Sequence, residues 1–172
     1  MSSPVFGVTG WKNSGKTTLA TRLITELTGR GLVVSTVKHA HHAFDIDKPG
    51  TDSHRHREAG ASEVMIVSGH RWALMHELRE EDEPPMIQAL ERISPCDLIL
   101  VEGYKREKHP KIEARRLAST KSGLLAPDDP TIVAIATDHD TPADGRPLFD
   151  LDDVSAIADF IVSHLQLETN DG

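Results

Sequence analysis

The chain has 172 residues, one cysteine and a formal net charge of -8 at pH 7. Its length fits one domain, and a hydrophobic fraction of 38% with 27% charged residues is typical of a folded globular protein and not of a disordered one. A single cysteine excludes a disulfide framework and a multi-cysteine zinc site. We expect a cytoplasmic protein without a membrane partner, because no apolar run reaches the roughly 18–20 residues of a membrane span and residues 1–6 lack the pattern of a secretory signal.

The acidic charge is concentrated near the end of the chain. Residues 122–172 contain 11 acidic residues and one base, so 18 of the 19 lysines and arginines lie in residues 1–121. A net acidic protein lacks the basic face of a general nucleic-acid binder, and we expect no nucleic-acid partner. A site for an anionic ligand is expected within the first 121 residues.

The first predicted elements in chain order form a strand–helix–strand unit. β-branched runs over 5–9 and 32–37 are typical of buried strands, and the apolar spacing over 17–27 predicts an amphipathic helix between them. Such a unit places its two strands parallel in one sheet.

The middle of the chain predicts a polar loop, a short helix and a β-hairpin. The loop covers 38–52, and either Asp52 or Ser53 is expected to cap the helix that follows. Two β-rich runs over 63–68 and 71–76 are separated by a short polar turn, which predicts an antiparallel pair.

The rest of the chain returns to the alternating pattern. Pro84 and Pro85 open a helix, and the apolar run over 97–102 is compatible with a central strand of a parallel sheet. The remaining elements are predicted in the order strand, strand, loop and helix, at 111–113, 131–136, 141–147 and 152–165.

Residues 10–17 carry the most informative motif. They read Gly-Trp-Lys-Asn-Ser-Gly-Lys-Thr and match the P-loop pattern G-x-x-x-x-G-K-[ST] at every fixed position, directly between a predicted strand and a predicted helix. The glycines let backbone amides approach phosphate, and the helix N-terminus adds partial positive charge. The alternative is a turn that binds nothing. The predicted phosphate-binding residues are Gly10, Trp11, Lys12, Asn13, Ser14, Gly15, Lys16, Thr17 and Thr18.

Two of these residues have predicted chemical roles. Lys16 is expected to contact the β- and γ-phosphates as the catalytic cation, and the Thr17 hydroxyl to ligate Mg²⁺.

Together with the predicted elements, the motif predicts an α/β fold: a P-loop NTPase-like three-layer α/β/α arrangement with a mostly parallel central sheet and an added β-hairpin. We predict one domain over residues 1–172.

A P-loop needs a second carboxylate that holds Mg²⁺ or its waters, usually at the end of a neighbouring apolar strand. Glu102 ends the apolar strand 97–102, at the edge where open α/β sheets bind ligands. Since Asp is usual there, contact through water is as compatible with Glu102 as direct ligation, and the alternative is a carboxylate that merely leaves a buried strand for solvent. Asp45, Asp47 and Asp52 are rival metal partners, and Asp52 is alternatively only a helix cap.

Asp138 is the candidate reader of a guanine base. It follows the strand predicted over 131–136, and a carboxylate there can accept hydrogen bonds from guanine N1–H and N2–H₂, a pair that adenine does not offer. The segment is a degenerate form of the guanine-reading [NT]-K-x-D motif, because the lysine is absent. The alternative is an ordinary acidic loop residue.

Histidines and basic residues form two further candidate contacts. Seven of the ten histidines lie between His39 and His76, but neighbouring lysines and arginines oppose a metal there, so an anion-contacting loop is favoured over a metal site. The alternative is a solvated polar loop. The basic stretch that begins at Lys105 is likewise either a ligand or partner contact or a solvated surface. The candidate ligand or partner contacts are Lys38, His39, His41, His42, His54, Arg55 and Lys105.

The assembled segments resemble the molybdopterin-guanine dinucleotide biosynthesis adaptor family, MobB. The P-loop over 10–17, the segment over 38–61, the strand and turn over 97–105 and the run His-Pro-Lys-Ile-Glu over 109–113 carry the resemblance, and the segment over 38–61 is far more specific than the P-loop.

The resemblance implies a GTP-binding protein with magnesium as its metal, at most a weak GTPase, and a homodimer. It implies a role beside the guanylyltransferase (MobA-type) that joins GMP to molybdopterin, and the pterin stays open as a ligand. Asp52 and Glu102 become the candidate magnesium-side carboxylates and Asp138 the candidate base reader. Some related dimeric P-loop proteins carry an extra lysine directly after the first glycine of the motif. Trp11 occupies that position in this chain, with Lys12 one place later, so the resemblance assigns no trans-acting lysine here.

Two other functions stay open at the level of the sequence. The same P-loop could serve a small-molecule kinase or ligase, whose acidic acceptor the His/Arg/Lys-rich loop would hold. A degenerate P-loop could instead act as a scaffold through protein contacts alone. Nucleotide titration followed by a turnover measurement separates the three.

Overall fold

The structure, a computed structural model, describes residues 3–40 and 44–168. Two compact units make up the chain: Met1–His39 together with Met86–Gly172, which we call the sheet unit, and Ala40–Pro85, the hairpin unit. The prediction of one domain over 1–172 stays a prediction. The elements are β1 (Val5–Thr9), α1 (Lys16–Gly29), β2 (Val34–Lys38), α2 (Asp52–Glu58), β3 (Glu63–Val67), β4 (Trp72–His76), α3 (Met86–Glu91), β5 (Leu98–Glu102), β6 (Lys111–Arg115), β7 (Ile132–Thr137), β8 (Leu148–Asp150) and α4 (Val154–Leu165).

The sheet unit is built on six parallel strands in the order β2-β5-β1-β6-β7-β8. β5 lies between β2 and β1, with Ile99 beside Val5 and Leu98 beside Val34, so the apolar strand is internal, as its composition predicts. The predicted α/β fold with a mostly parallel sheet and an added hairpin is confirmed.

Helices and short helical turns cover both faces of this sheet. On one face, α1 and α4 bury apolar side chains such as Leu23 and Ile157 against Phe6 and Leu100. Because successive strand residues point to opposite faces, the neighbour Ile99 contacts the other layer, where Met86 of α3 packs. Two 3-10 helices, at Leu117–Ser122 and Ala126–Asp128, lie along the chain between β6 and β7. No helix among the described residues is long and apolar enough to cross a membrane.

Two strands differ from the sequence prediction. β6 runs to Arg115, two residues beyond the predicted 111–113, and all five of its residues are buried. The sequence predicts no strand between the loop over 141–147 and the last helix, but Leu148–Asp150 (β8) pairs with β7. A three-residue strand after a Pro/Gly-rich loop is too short to show a period, so only its pairing reveals it.

β6 carries a row of buried charged side chains, and local sequence patterns do not predict their burial. Lys111 is fully buried and donates hydrogen bonds to the Glu107 carbonyl at 2.6 Å and the Asp129 carboxylate at 3.1 Å. Glu113 accepts hydrogen bonds from the backbone amides of Leu125 and Ala126, both at 2.9 Å. These bonds satisfy the buried charges and attach the segment after β6 to the sheet.

His109, at the entrance to β6, is buried against β1. A Cβ at Gly7 would lie 2.4 Å from its Nε2 atom, so the glycine is required for this close approach. Burial lowers the pKa of His109 to about 4, and the nearby Lys111 ammonium acts in the same direction. The imidazole is therefore neutral at physiological pH.

The hairpin unit contains α2 and the antiparallel pair β3–β4. Val64 and Met75 are paired across the strands and buried on one face of the hairpin. On the opposite face, four apolar side chains are exposed: Met65 (57%), Val67 (69%), Trp72 (67%) and Leu74 (40%). Met75 is therefore a core residue of the hairpin, whereas Trp72 is exposed on its other face.

The N-cap of α2 in the hairpin unit differs from the predicted one. The N-cap of α2 is Thr51, not Asp52 or Ser53, because Thr51 has extended backbone angles and Asp52 is already the first helical residue. Asp45 and Asp47, two of the rival metal carboxylates, lie in an ion-pair cluster, in which the Arg57 guanidinium contacts Asp47 at 2.6 Å and Asp45 at 3.2 Å. Hydrogen bonds from Arg57 hold the pKa of Asp47 below its ordinary value.

Candidate functional site: the P-loop pocket

The chain turns sharply where β1 ends, and glycines make this turn possible. Gly10 has a φ of 152°, and a Cβ there would lie 2.3 Å from the Ser14 hydroxyl and 2.7 Å from the Ala114 carbonyl oxygen. The Ser14 amide donates to the Trp11 carbonyl at 3.1 Å, which closes the loop. Gly15, with a φ of 88°, then leads directly into α1. The sequence motif therefore has the turn that phosphate binding requires.

The N-terminus of α1 opens onto a pocket of about 380 Å³. Among the described residues, no side chain caps this helix end, so the amides of its first turn are available to a ligand. Lys16 donates from Nζ to the Trp11 carbonyl at 3.2 Å and is held at the mouth of the loop. The pocket is lined by Lys12, Asn13, Gly15, Lys16, Thr17, Thr18 and Arg116.

Arg116 is a lining residue that the sequence analysis did not single out. It directly follows β6, which pairs with β1, so it emerges at the same edge of the sheet as the P-loop. A Cβ at Gly15 would lie 2.6 Å from its Nε atom. The available signal was its place at the end of a strand beside β1, but the strand was predicted to end at residue 113.

The structure brings Thr17 and Glu102 into direct contact, although they are 85 residues apart. The Thr17 hydroxyl donates to Glu102 Oε1 at 2.6 Å, and Lys38 Nζ lies 3.7 Å from the same oxygen. This contact exists because β5 pairs with β1, with Glu102 beside Val8.

A hydroxyl and a carboxylate oxygen are suitable ligands for Mg²⁺, which completes its octahedron with phosphate oxygens and water. The part of the chain that the structure describes has no group of three or more His, Cys, Asp or Glu side chains able to hold a metal. The pair Thr17 and Glu102 therefore fits a magnesium ion that arrives with a phosphate ligand, and not a site that binds metal with protein ligands alone.

Three other candidate residues lie at the same edge of the sheet. Lys38 contacts Glu102, as described above, and the His39 ring stacks on Tyr104 with a centroid distance of 4.6 Å. The Lys105 ammonium lies over the Trp11 ring, 4.1 Å from its centroid. Burial, together with the nearby Lys16 ammonium, lowers the pKa of Lys105.

Asp138 lies at the same edge, directly after β7, and is already hydrogen-bonded. Its Oδ1 atom accepts from the Leu117 amide at 2.8 Å and lies 2.9 Å from His139 Nδ1. The hydrogen bond with His139, assisted by the Leu117 amide, holds the pKa of Asp138 below its ordinary value despite the opposing effect of burial. The carboxylate is therefore an ionised acceptor, but one of its oxygens is in use.

The remaining candidates do not belong to the sheet unit. Asp52, His54 and Arg55 lie on α2 of the hairpin unit, and their predicted roles stay predictions. His41 and His42 lie outside the described residues.

Comparison with known proteins identifies the family. The family model for molybdopterin guanine dinucleotide synthesis protein B, MobB, matches residues 5–138, from the start of β1 through Asp138. The chain belongs to the MobB family. The resemblance stated from the sequence is confirmed, and the match includes the P-loop, Glu102 and the strand that precedes Asp138.

Individual MobB relatives match over nearly their whole length. The molybdopterin-guanine dinucleotide biosynthesis adapter protein of Haemophilus influenzae is 42% identical, with 94% of this chain and 89% of the relative covered. The protein of the same name from Escherichia coli is 39% identical, with 95% and 94% covered. A crystal structure of molybdopterin-guanine biosynthesis protein B has a TM-score of 0.72 at 29% identity, with 94% of this chain and 99% of that chain covered. Membership places the chain among the adapter proteins of molybdopterin-guanine dinucleotide biosynthesis.

Proposed function

We propose that this MobB-family protein binds GTP with Mg²⁺ in the P-loop pocket. The observation that carries the proposal is the contact of Thr17 with Glu102 at 2.6 Å, beside the pocket that Thr17 and Lys16 line. The first-turn amides of α1 and the Lys16 ammonium would hold the phosphates, while Thr17 and Glu102 would hold the metal or its waters. The metal would neutralise phosphate charge that the protein cations leave uncompensated.

The base-reading part of the proposal rests on Asp138. Its ionised carboxylate lies at the same edge of the sheet as the P-loop and can accept hydrogen bonds from guanine N1–H and N2–H₂. Binding of guanine would engage Oδ2, and would share Oδ1 with the Leu117 amide and His139.

The bound GTP would serve an adapter and not a fast enzyme. In this proposal the protein hydrolyses GTP weakly and assists the guanylyltransferase that joins GMP to molybdopterin. The relatives named as adapter proteins in this biosynthesis support that assignment. Direct binding of the pterin stays open.

We further propose that the protein is a homodimer whose interface is formed by the hairpin unit. Met65 faces Leu74 and Val67 faces Trp72 across the strands, and together they form an exposed apolar face on a hairpin of only two strands. An isolated two-stranded hairpin is marginally stable in water, and apolar patches of this kind mark interaction surfaces. The same face of a second copy would cover this surface.

A nucleotide titration with a turnover measurement tests the proposal. We expect GTP to bind more tightly than ATP in the presence of Mg²⁺, with slow release of phosphate, and we expect added protein to increase guanylation of molybdopterin by the guanylyltransferase. Transfer of phosphate from ATP to a small acidic acceptor would instead identify a kinase. If neither nucleotide binds at micromolar concentration, the protein is a scaffold that acts through protein contacts.

A further inference from the structure

Two lysines converge on Trp11, the second residue of the P-loop. Lys16 donates from Nζ to the Trp11 carbonyl at 3.2 Å, and the Lys105 ammonium lies 4.1 Å from the centroid of the indole ring. The second contact is a cation–π interaction, which is weaker than a hydrogen bond to a charged oxygen. Lys105 forms no ion pair with a carboxylate in the described part of the chain. Its ammonium is therefore held near the pocket by an aromatic face alone.

The loop after β5 directs Lys105 back over the P-loop. Gly103 and Tyr104 both have left-handed backbone angles, with φ values of 94° and 47°, which reverse the chain directly after Glu102. The Gly103 amide donates to the Val8 carbonyl at 3.3 Å, and the Tyr104 ring stacks on His39. This turn is fixed to β1 on one side and to the end of β2 on the other. The position of Lys105 is thus set by the fold and not by a free surface loop.

The two ammonium groups lie close enough to disfavour each other. Burial and the Lys16 charge both lower the pKa of Lys105, which is the sign expected for two cations without a shared counter-ion. A polyanion in the pocket would remove this repulsion and would offer Lys105 oxygen acceptors stronger than an indole ring. The free site is therefore arranged to bind more negative charge than Lys16 alone can neutralise.

We propose that Lys105 contacts the terminal phosphate of a nucleoside triphosphate and moves there from the Trp11 ring when the nucleotide binds. Lys105 lies three residues after Glu102, whose carboxylate meets Thr17 on the magnesium side of the pocket. The Lys105 and Lys16 ammonium groups both contact Trp11, and Lys16 is the residue expected to bind the β- and γ-phosphates, so a second cation there would reach the terminal phosphate before the α-phosphate. Lys105 is then a specificity-determining residue that distinguishes triphosphate from diphosphate. This inference rests on the proposed nucleotide binding.

The decisive experiment compares GTP and GDP affinities of Lys105→Met, the wild type and the matched control Lys108→Met. Lys108 is an exposed lysine three residues further along the chain. We expect Lys105→Met to weaken GTP binding roughly tenfold or more, the effect of losing one charge-assisted hydrogen bond, and to change GDP binding by less than about twofold. Lys108→Met should leave both affinities as in the wild type. Equal ratios of GTP to GDP affinity in Lys105→Met and the wild type would overturn the inference.

The movement away from the indole has its own readout. The chain has two tryptophans, so Trp72→Phe leaves Trp11 as the single emitter. We expect the emission of Trp11 to change with GTP and to change less with GDP, and we expect Lys105→Met to remove the difference between the two nucleotides. A difference of the same size without Lys105 would show that the ammonium does not leave the ring on binding.

A Lys16→Met variant separates the two levels of the argument. If the wild type binds GTP, Lys16→Met does not, and Lys105→Met keeps the wild-type ratio, only the role of Lys105 fails. If the wild type binds neither GTP nor GDP, the proposed function and the role of Lys105 fail together.

Discussion

At the scale of single residues, the P-loop pocket combines a local motif with side chains that arrive from distant strands. Lys16 and Thr17 follow each other at the start of α1, whereas Glu102 reaches Thr17 from the end of β5. In the proposed complex, Lys16 would contact the phosphates, Thr17 and Glu102 the metal or its waters, and Asp138 the base. Single substitutions therefore separate phosphate binding, metal binding and base reading.

Lys16→Ala is expected to weaken GTP binding by about 1.5–3 kcal/mol, because the variant loses a charge-assisted hydrogen bond to the phosphates. Isothermal titration calorimetry of both proteins measures the difference, and circular dichroism checks that the fold is intact. Unchanged GTP affinity in a folded variant would contradict the assignment of the phosphate site.

Glu102→Gln is expected to reduce the dependence of GTP affinity on Mg²⁺, because the neutral amide attracts the metal or its waters less than a carboxylate does. The measurement is a GTP titration at several magnesium concentrations. Asp52→Asn is the matched comparison, since Asp52 is the rival carboxylate and lies on α2. Loss of the magnesium effect in Asp52→Asn and not in Glu102→Gln would assign the metal to the other residue.

Asp138→Ala is expected to remove the preference for GTP over ATP, because adenine lacks the N1–H and N2–H₂ donors that the carboxylate would accept. Competition titrations with both nucleotides measure the preference. Asp140→Ala serves as the control, since Asp140 is an exposed carboxylate two residues further along the chain. Equal weakening of GTP and ATP binding in Asp138→Ala would count against base reading.

At the scale of elements, segments with a continuous apolar pattern were predicted well, whereas β8 and the end of β6 were not. β1, α1, β5 and α4 have apolar patterns that continue for several residues, and each lies where the sequence predicts it within a few residues. β8 has three residues and shows no pattern of its own. Charged residues at alternate positions of β6 are typical of a strand with one solvent-facing side. They are buried in the structure, where ion pairs and hydrogen bonds with backbone amides satisfy their charges.

The hairpin of β3 and β4 carries the prediction about assembly. Trp72→Lys is expected to shift the protein from dimer to monomer, because a charge in the centre of an apolar interface would lose its hydration without a partner. Sedimentation velocity over a range of concentrations measures the change. Val33→Lys, a matched substitution of an exposed apolar residue of the sheet unit, should leave the oligomeric state unchanged. A wild type that is monomeric at all concentrations would contradict the proposal directly.

At the scale of the whole molecule, the buried polar residues around β6 connect stability to pH. His109 is only 5% exposed, and its folded pKa of about 4 lies below the ordinary value of 6.5. Between these values the unfolded chain binds more protons than the folded one, so the free energy of unfolding falls as the pH falls. The stability that neutral, buried His109 allows is fully present above pH 6.5, and it is lost as the pH falls toward 4.

The expected loss of stability from His109 across this window is on the order of 3 kcal/mol. Urea denaturation at pH 7 and at pH 4.5 measures it, and His109→Gln should reduce the difference between the two conditions. His70→Gln, which changes an exposed histidine of the hairpin turn, should keep the wild-type difference. The same difference in His109→Gln would assign the acid sensitivity to other groups.

The sequence by itself determined the features that depend on neighbouring residues. The P-loop turn needs glycines at fixed positions between a strand and a helix, and the pattern of residues 10–17 meets that need without information from the rest of the chain. The order of strands and helices follows from local periodicity in the same way, and the combined motifs were specific enough to identify the family.

Only the tertiary structure decided which distant side chains meet. Thr17 and Glu102 are joined because β5 lies beside β1, and Lys105 reaches Trp11 because the turn after β5 reverses the chain. Arg116 enters the pocket because β6 lies on the other side of β1. Strand order and strand length set these contacts, and both result from packing the whole sheet and not from the composition of any one strand.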